Sequence, residues 1–314
     1  MKVFGPVPSR RLGMSLGINN IPYKICSYSC LYCQVGKAIK MQVHRQPYYK
    51  VDEIVSEVEH SLTNIKDQSK YPNYITIVPD GEPTLDENLG ELIENLKQFK
   101  LPVAVITNAS LIDRDDVRDD LMKVDYVSVK LDAIYEQTWR KINKPHRDLK
   151  HERILHGIQN FSKGYSGTLT TETMLLKDIN DDLNEMNELA FFIQKVKPAV
   201  SYLAIPTRPP AFKEAIPIDE SKLLEVFVTF RKQIPQVELL TGYEGNAFSS
   251  SGDLRKDILS ITAVHPLRQD AISALHEQSK DSYAVVDQLI EEQLIEKVEY
   301  NGHQYYLRKF SKGK

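Results

Sequence analysis

The sequence predicts an α/β protein: a partial (βα)6 barrel followed by a small C-terminal winged-helix domain. Short runs of β-branched residues alternate with longer stretches in which apolar residues recur every three or four positions. This alternation is typical of parallel strands joined by crossover helices. Roughly six such units can be counted, fewer than the eight of a closed barrel. The sheet is therefore either a barrel with an open side or an open doubly wound sheet.

The predicted elements of the barrel follow one another at regular intervals. Strands are expected over residues 16–21, 74–78, 103–107, 126–131, 168–175 and 200–205. Helices are expected between them, over residues 51–64, 86–99, 113–122, 148–162 and 182–196. Four prolines between residues 206 and 217 mark a long connection, which leads to a helix over 219–232 and a strand over 237–241. These elements assign residues 1–242 to the barrel domain.

The C-terminal part of the chain has a different pattern. Residues 243–253 are rich in Gly, Ser and Asn and predict a linker. Three short helical patterns follow, over residues 254–261, 267–278 and 282–293. Alternating residues from Val298 to Leu307 then predict a hairpin, with Asn301-Gly302 as its tight turn. Three helices and a hairpin predict a winged-helix domain over residues 254–314.

The charge of this predicted domain argues against binding to DNA. Residues 254–314 contain nine Lys or Arg and nine Asp or Glu, so their net charge is zero. The third helix, which would enter a groove, carries acidic residues and no basic one. Because DNA binding requires neutralisation of phosphates, a lid, a dimer contact or a peptide-docking surface fits the domain better.

Composition restricts the class of protein. The whole chain has 40 Lys and Arg against 43 Asp and Glu, with 41% hydrophobic and 26% charged residues, which is ordinary for a folded protein. No apolar run is long enough to cross a bilayer, and the first residues lack the apolar core of a secretory signal. Three cysteines cannot all pair internally, so the expected compartment is the reducing cytoplasm.

All three cysteines lie in one short segment, at Cys26, Cys30 and Cys33. This spacing brings three sulfurs from one loop toward a common point. A structural zinc site needs four closed ligands, and His44, the only nearby candidate, does not stand at a recognised zinc spacing. An iron-sulfur cluster held by three thiolates leaves one iron open to a chelating small molecule. The spacing favours such a cluster over zinc and over redox or structural thiols.

Residues 26–33, with Tyr32 just before the last cysteine, resemble the cluster loop of radical S-adenosylmethionine enzymes. Residues 8–13, 15–18 and 32–36 resemble the wyosine-synthetase-like branch, whose tRNA imidazoline-forming members rebuild a guanine. Residues 80–85 resemble the Gly-Glu motif of the superfamily, and the likeness as a whole covers about residues 4–210.

The resemblance implies cofactors and a reaction. Cys26, Cys30 and Cys33 would hold a 4Fe-4S cluster whose open iron is chelated by S-adenosylmethionine. One electron from an external donor of flavodoxin or ferredoxin type would split S-adenosylmethionine and produce a 5′-deoxyadenosyl radical, which abstracts hydrogen from a substrate held against it. Inactivation by air is expected.

Polar residues near the carboxyl ends of the predicted strands are expected to contact the cofactors. Their ordinary alternatives are turns, a helix cap and an ion pair at a sheet edge. The expected cofactor contacts are Tyr32, Gly81, Glu82, Thr107, Asn108, Ser128, Lys130, Asp132 and Glu172. Lys130 is also a possible partner of Glu172. Arg10 and Arg208 are expected at the substrate, although a solvated loop suits them equally well.

The residues leave the substrate open. The branch suggests a tRNA base, but this chain lacks the additional cysteines of tRNA-modifying members, and its charge of −3 argues against a large tRNA footprint. The basic start of the chain, with eight Lys or Arg and no acid in residues 1–50, could supply a local one. A peptide, a protein side chain or a small metabolite is the alternative substrate. A thiol-metal regulatory protein with a winged-helix output is the alternative of another class.

Overall fold

An eight-stranded sheet organises the first three quarters of the chain. The computed structural model describes residues 2–65, 67–242, 245–246, 248, 250, 252–279 and 281–309. The sheet strands are β1 (Val3–Ser9), β2 (Gly13–Ile18), β5 (Tyr74–Ile77), β6 (Val103–Thr107), β7 (Tyr126–Lys130), β8 (Thr168–Met174), β9 (Val200–Ala204) and β10 (Val237–Leu240). They are ordered β1-β2-β5-β6-β7-β8-β9-β10. β1 runs antiparallel to β2, and every later neighbour pair is parallel.

Helices connect the parallel strands, as in other α/β folds. They are α1 (Val51–Thr63), α2 (Leu89–Leu96), α3 (Asp115–Leu121), α4 (Glu136–Asn143), α5 (His151–Gly164), α6 (Leu183–Val196) and α7 (Glu220–Gln233). Two short strands, β3 (Ile25–Cys26) and β4 (Lys40–Met41), pair with each other in the segment between β2 and α1. None of the helices in the described residues is long and apolar enough to cross a membrane.

The two faces of the sheet differ in polarity. Alternate residues of β5, β6 and β7, such as Ile77, Val105 and Val127, pack into the main apolar core with the helices. Of the residues between them, Thr76 of β5 and Ser128 of β7 are buried and polar. Because side chains alternate between faces along a strand, the polar residues share the inner side of the barrel. These polar side chains line the inner side of the barrel, which we call the lumen.

The hairpin between β1 and β2 brings the two ends of the sheet together. Arg10, in its turn, donates from Nη1 to the carbonyl oxygen of Leu240, the last residue of β10, at 2.8 Å. Leu12 packs with Tyr74, Ala104 and Tyr126 at the same end of the lumen. A flat, open sheet would not place its second and eighth strands within reach of one side chain. The observed fold is the partial barrel.

The barrel differs from the predicted one at its edges. Within the described residues seven strands are parallel, because the strand predicted over 237–241 joins the six of the barrel as β10, beside β9. The first parallel strand is Gly13–Ile18, since Asn19 and Asn20 leave the ladder to bond Asp80 and Asp86 through their side chains. β1 was not predicted because it contains glycine and proline, which an edge strand tolerates. Helix α4 was also not predicted.

The C-terminal unit contains the elements that the sequence predicts, with one addition. Its helices are α8 (Leu254–Val264), α9 (Gln269–Gln278) and α10 (Ala284–Glu291), and its strands are β11 (Leu267–Arg268), β12 (Ile295–Tyr300) and β13 (His303–Arg308). The short β11 pairs with β13 and was not predicted. Asn301 and Gly302 have φ values of 49° and 73°, the left-handed conformations that a two-residue hairpin turn requires. The winged-helix classification and the domain boundaries stay predictions, and five residues of the predicted linker lie outside the described residues.

The C-terminal unit packs against the first strand of the barrel. Phe4 and Val7 of β1 belong to the same apolar cluster as Leu254, Ile258 and other buried residues of the unit. The sheet edge formed by β1 is therefore covered, which protects it from pairing with other chains.

Candidate active site at the carboxyl ends of the strands

The loop that carries the three cysteines is held in place by backbone hydrogen bonds. Cys26 is the last residue of β3, and its carbonyl accepts from the backbone N–H of Gln42 at 3.1 Å. The end of α4 binds the middle of the loop, because the N–H of Leu31 donates to the carbonyl of Ile142 at 2.9 Å. The loop therefore has a defined path, although it is only partly regular.

Each cysteine sulfur accepts a hydrogen bond from a different nitrogen. The Lys24 ammonium lies 3.2 Å from Cys33 Sγ, and the Asn143 amide lies 3.4 Å from Cys30 Sγ. The Asn108 amide lies 3.6 Å from Cys26 Sγ. Donors of this kind stabilise sulfur that carries negative charge, as in a thiolate bound to metal.

The thiols lie in surroundings that disfavour a free thiolate. Burial raises the pKa of Cys26 to about 12 and also raises the pKa of Cys30, to which the negative charge of Asp132 adds. A bound metal would reverse this preference, since coordination deprotonates a thiol. Among the described residues, no three or more His, Cys, Asp or Glu side chains converge as ligands of a single ion. Three thiols in one loop, each with a nitrogen donor at its sulfur, form a donor set that fits an iron-sulfur cluster.

Gly81 allows the loop after β5 to approach the cysteine-bearing strand. A Cβ atom at this position would lie 1.9 Å from the carbonyl oxygen of Ile25, the residue before Cys26. The N–H of Glu82 donates to the same carbonyl at 3.3 Å. Glycine is required here because the two backbones are in close contact. The sequence predicts that Gly81 lies close to the cofactor, and the structure places it against the cysteine loop.

Glu82 is fully buried at the centre of a hydrogen-bond network. Its Oε1 accepts from the hydroxyls of Thr84 and Thr107, at 2.6 Å and 2.5 Å, and its Oε2 accepts from the backbone N–H of Asn108 at 2.8 Å. Burial raises the pKa of Glu82, and these donors oppose that shift. The structure thus brings together Glu82, Thr107 and Asn108 beside Cys26.

Asp132 holds the cysteine loop from the other side. The Tyr32 hydroxyl donates to Asp132 Oδ2, which also accepts from the Asn143 amide at 2.7 Å. Asp132 Oδ1 accepts from the N–H of Met174 at 2.8 Å. The predicted cofactor contacts Tyr32 and Asp132 therefore bind each other across the site.

A group of charged side chains lies inside the barrel, where Glu172 is buried and Lys130 and Arg11 are partly buried. Lys130 stands opposite Glu172 in the register of β7 and β8 and forms an ion pair with it. Arg11, from the β1–β2 turn, pairs with the other oxygen of Glu172. Burial lowers the pKa of Lys130 to about 8. The nearby Ser128 hydroxyl is buried and has no hydrogen-bond partner among the described residues.

The two arginines predicted at the substrate have different hydrogen-bond partners. Arg10 bonds the carbonyls of Leu240 and Gly242, so Arg11 is the arginine of this turn that enters the lumen. Arg208 follows β9 and bonds the side chain of Gln34, next to Cys33, and of His265 in the C-terminal unit. Their substrate roles stay predictions.

Several residues of the site were not singled out from the sequence. Lys24 and Asn143 contact sulfurs, and Asp80 is buried with its pKa raised to about 7. Lys24 could have been found from its place two residues before Cys26. Asn143 lies more than a hundred positions from the cysteines, and only the packing of α4 on the loop brings it to Cys30.

Comparison with known proteins places the chain in one family. Residues 20–190 match the Radical SAM superfamily. A UPF0026 protein of Methanocaldococcus jannaschii is 41% identical over 97% of this chain and 95% of its own length. A radical SAM methyltransferase from Sphaerobacter thermophilus has a TM-score of 0.57 at 15% identity, over 72% of this chain and 66% of the other. TYW1 with a lysine-pyruvate adduct bound has a TM-score of 0.54 at 17% identity, over 71% of this chain and 76% of the other.

These comparisons confirm the expected family, and the two solved structures show that the fold is shared. Members of the family use a 4Fe-4S cluster and S-adenosylmethionine, and Cys26, Cys30 and Cys33 have the C-x3-C-x2-C spacing of the family motif. The chain belongs to the Radical SAM superfamily and is a radical S-adenosylmethionine enzyme.

Proposed function

We propose that this enzyme cleaves S-adenosylmethionine reductively at a 4Fe-4S cluster held by Cys26, Cys30 and Cys33, and abstracts hydrogen from a substrate in the barrel lumen. The observation that carries the proposal is the set of three nitrogen donors, one to each sulfur. When bound, the cluster supplies the electron that splits the sulfonium and yields a 5′-deoxyadenosyl radical. Other residues of this chain support the remaining steps of the proposal.

Glu82 is positioned to receive the ammonium group of S-adenosylmethionine. Among the described residues its Oε2 accepts one hydrogen bond, from Asn108, which leaves a lone pair for a further donor. A cation at this point would offset the burial that raises the pKa of Glu82. Thr84 and Thr107 hold the carboxylate in one orientation, so that a bound amine meets a preorganised partner.

The barrel lumen provides a shielded place for the reaction. Ser128, Lys130 and Glu172 line it, and the turn that contains Arg11 and Leu12 closes the end away from the cysteine loop. A reactive radical attacks whatever is nearest, so the reaction requires a place that excludes water and holds the substrate in contact. The polar lining suits a substrate with hydrogen-bonding groups.

Two substrate classes fit a polar lumen. One is a tRNA base, which the resemblance suggests, and the other is a peptide, a protein side chain or a small metabolite. Binding of bulk tRNA would weaken steeply with added salt, because phosphate contacts release counterions. A filter-binding titration at two salt concentrations separates the classes, and the pool that stimulates 5′-deoxyadenosine formation identifies the substrate class.

The proposal is tested by anaerobic reconstitution with iron and sulfide. The wild-type protein is expected to show thiolate-to-iron absorption and to form 5′-deoxyadenosine from S-adenosylmethionine with dithionite. Cys30→Ala is expected to lose both, while its circular dichroism spectrum stays that of a folded protein. Iron content and cleavage that are unchanged in Cys30→Ala contradict the proposal. A zinc-loaded protein without cleavage favours the thiol-metal regulatory alternative.

A further inference from the structure

Two lysines lie against one aromatic ring on the solvent side of the cysteine loop. Lys37 Nζ is 4.4 Å from the centroid of the Phe212 ring, and Lys144 Nζ is 5.0 Å from it. Both lysines are exposed. They come from separate segments, the stretch after Cys33 and the end of α4, while Phe212 lies between β9 and α7. We call Lys37, Lys144 and Phe212 the lysine patch.

The lysine patch is attached directly to the segment that holds Cys30. The N–H of Phe212 donates to the carbonyl of Leu31 at 3.1 Å, and the Phe212 ring packs in the same small apolar cluster as Leu31 and Cys30. The N–H of Ser29 also contacts the carbonyl of Lys144, at 3.2 Å. One layer of side chains therefore separates the patch from a proposed cluster ligand.

Local stability does not account for both lysines. A cation over a partly exposed aromatic ring such as Phe212 contributes about 0.5–1 kcal/mol, but a second cation at the same ring repels the first. Within the described part of the chain neither Lys37 nor Lys144 forms an ion pair. Ile39, two positions from Lys37, is 69% exposed. An unpaired positive surface with an apolar residue beside it has the character of a transient protein interface.

We propose that the lysine patch docks the acidic electron-carrier protein that reduces the cluster. The inference rests on the proposed function and deepens it, since enzymes of this family need an external reductant. Docking here lets one electron pass from the carrier to the cluster through the Cys30 segment. The carrier is oxidised by one electron, the cluster is reduced by one, and no bond is made or broken.

The position of the patch also separates the electron path from the substrate path. Lys130, on the lumen side, lies 5.5 Å from the centroid of the Tyr32 ring, whereas Phe212 contacts the same loop at Leu31 from the solvent side. A carrier on the patch therefore leaves the lumen free. The exposed apolar Ile39 beside the lysines favours a protein partner over tRNA, whose contacts with a basic patch are mainly through phosphates.

The test compares reduction of the reconstituted enzyme by a protein and by a small molecule. A bacterial flavodoxin of net negative charge, in its fully reduced form, is mixed with the enzyme at low ionic strength, and cluster reduction is followed by stopped-flow absorbance and electron paramagnetic resonance. The double variant Lys37→Glu/Lys144→Glu is expected to slow this reduction about 10-fold or more, because it reverses the steering charge. Added salt is expected to slow the reduction of the wild-type cluster by flavodoxin and to bring its rate closer to that of the double variant.

A matched control exists on α6. Lys195 lies 4.3 Å from the centroid of the exposed Phe191 ring on α6, so Lys195→Glu changes a similar lysine-phenylalanine pair. It is expected to leave reduction by flavodoxin unchanged. Reduction by dithionite at high salt is expected to be unchanged in all variants, which shows that the clusters are intact.

The outcomes distinguish this inference from the proposed function. Equal rates of cluster reduction by flavodoxin in the wild type and the double variant overturn the docking site. If the double variant also loses binding to bulk tRNA while its rate of cluster reduction is unchanged, the patch binds tRNA instead. A wild type without a cluster, or without cleavage under dithionite, overturns the proposed function itself.

Discussion

Arg208 joins the barrel to the C-terminal unit through His265. Its Nη2 lies 2.5 Å from His265 Nε2, while its Nη1 bonds the side chain of Gln34, directly after Cys33. His265 Nδ1 lies 3.0 Å from the carbonyl of Pro266, which places the imidazole proton on Nδ1 and leaves Nε2 to accept from the guanidinium. One arginine therefore contacts both the cysteine loop and the C-terminal unit, and the imidazole that it bonds must be neutral.

The first prediction concerns the pH dependence of this contact. Burial, followed by the charge of Arg208, holds the pKa of His265 well below its usual 6.5. Below pH 6.5 the unfolded chain binds a proton at this residue and the folded chain does not, so the free energy of unfolding falls as pH falls. As the pH falls from 7.5 to 5.5, His265 is expected to lower the free energy of unfolding by about 1.4 kcal/mol. His265→Gln is expected to lack this decrease. Urea unfolding at several pH values measures the difference, and parallel curves for the two proteins contradict it.

The control for that experiment is His303→Gln. His303 is exposed in β13, in the same unit as His265. Its replacement is expected to leave the pH dependence of the wild type unchanged. A second buried histidine, His151, has its pKa lowered to about 4 and contributes equally to both curves, so that the comparison isolates His265.

The second prediction concerns the backbone contact at Gly81. Gly81→Ala would place a Cβ 1.9 Å from the carbonyl oxygen of Ile25, and a backbone atom cannot rotate away. The variant is expected to lose about 1–3 kcal/mol of stability and to retain less iron, because Ile25 precedes Cys26. Iron analysis after reconstitution and urea unfolding are the measurements. Gly164→Ala serves as the control, since its nearest new contact is the Met122 side chain at 3.4 Å. Full iron content in Gly81→Ala would show that the contact does not position the loop.

The third prediction concerns the ammonium group at Cys33. Lys24 is 2% exposed and its Nζ lies 3.2 Å from Cys33 Sγ. A positive donor stabilises the reduced cluster more than the oxidised one, so Lys24→Met is expected to lower the reduction potential. If the reduced cluster loses about 1.4 kcal/mol of stabilisation relative to the oxidised one, its one-electron reduction potential falls by about 59 mV. A redox titration followed by electron paramagnetic resonance measures the shift. Lys24→Arg, which keeps a charged donor, is expected to restore most of the potential, and an unchanged potential in Lys24→Met refutes the assignment.

The centre of the fold could be predicted from the sequence because local pattern and burial agree there. Val103–Thr107 was predicted residue for residue, since all its neighbours in the sheet are parallel strands and its apolar run is continuous. The edges could not be predicted in this way. β1 contains Pro6 and Pro8 and forms a strand because β2 on one side and the C-terminal unit on the other cover it.

The candidate site shows the same division. The cysteine spacing and the Gly81-Glu82 pair stand out in the sequence because each lies within a few residues. Asn143, Arg11 and the Arg208 contact with His265 become visible only in three dimensions, since each joins segments far apart along the chain. The cavity-facing alternation of Ser128 and Lys130 was predicted, whereas the second cation on Glu172 was not.

The last prediction concerns that second cation. Arg11 and Lys130 both pair with Glu172 inside the barrel, where two cations without their carboxylate would face each other with little water. Glu172→Gln is therefore expected to cost about 3–5 kcal/mol of stability. Arg11→Met in the same chain removes one of the two cations, so the double variant is expected to be more stable than the sum of the two single changes predicts. A double-mutant cycle from urea unfolding measures this coupling. Arg10→Met is the control, because Arg10 bonds the carbonyls of Leu240 and Gly242 instead of Glu172. If the changes in the free energy of unfolding for Arg11→Met and Glu172→Gln are additive, the two residues are not coupled. The barrel interior would then screen these charges, and Glu172 would not be what holds two cations in the lumen.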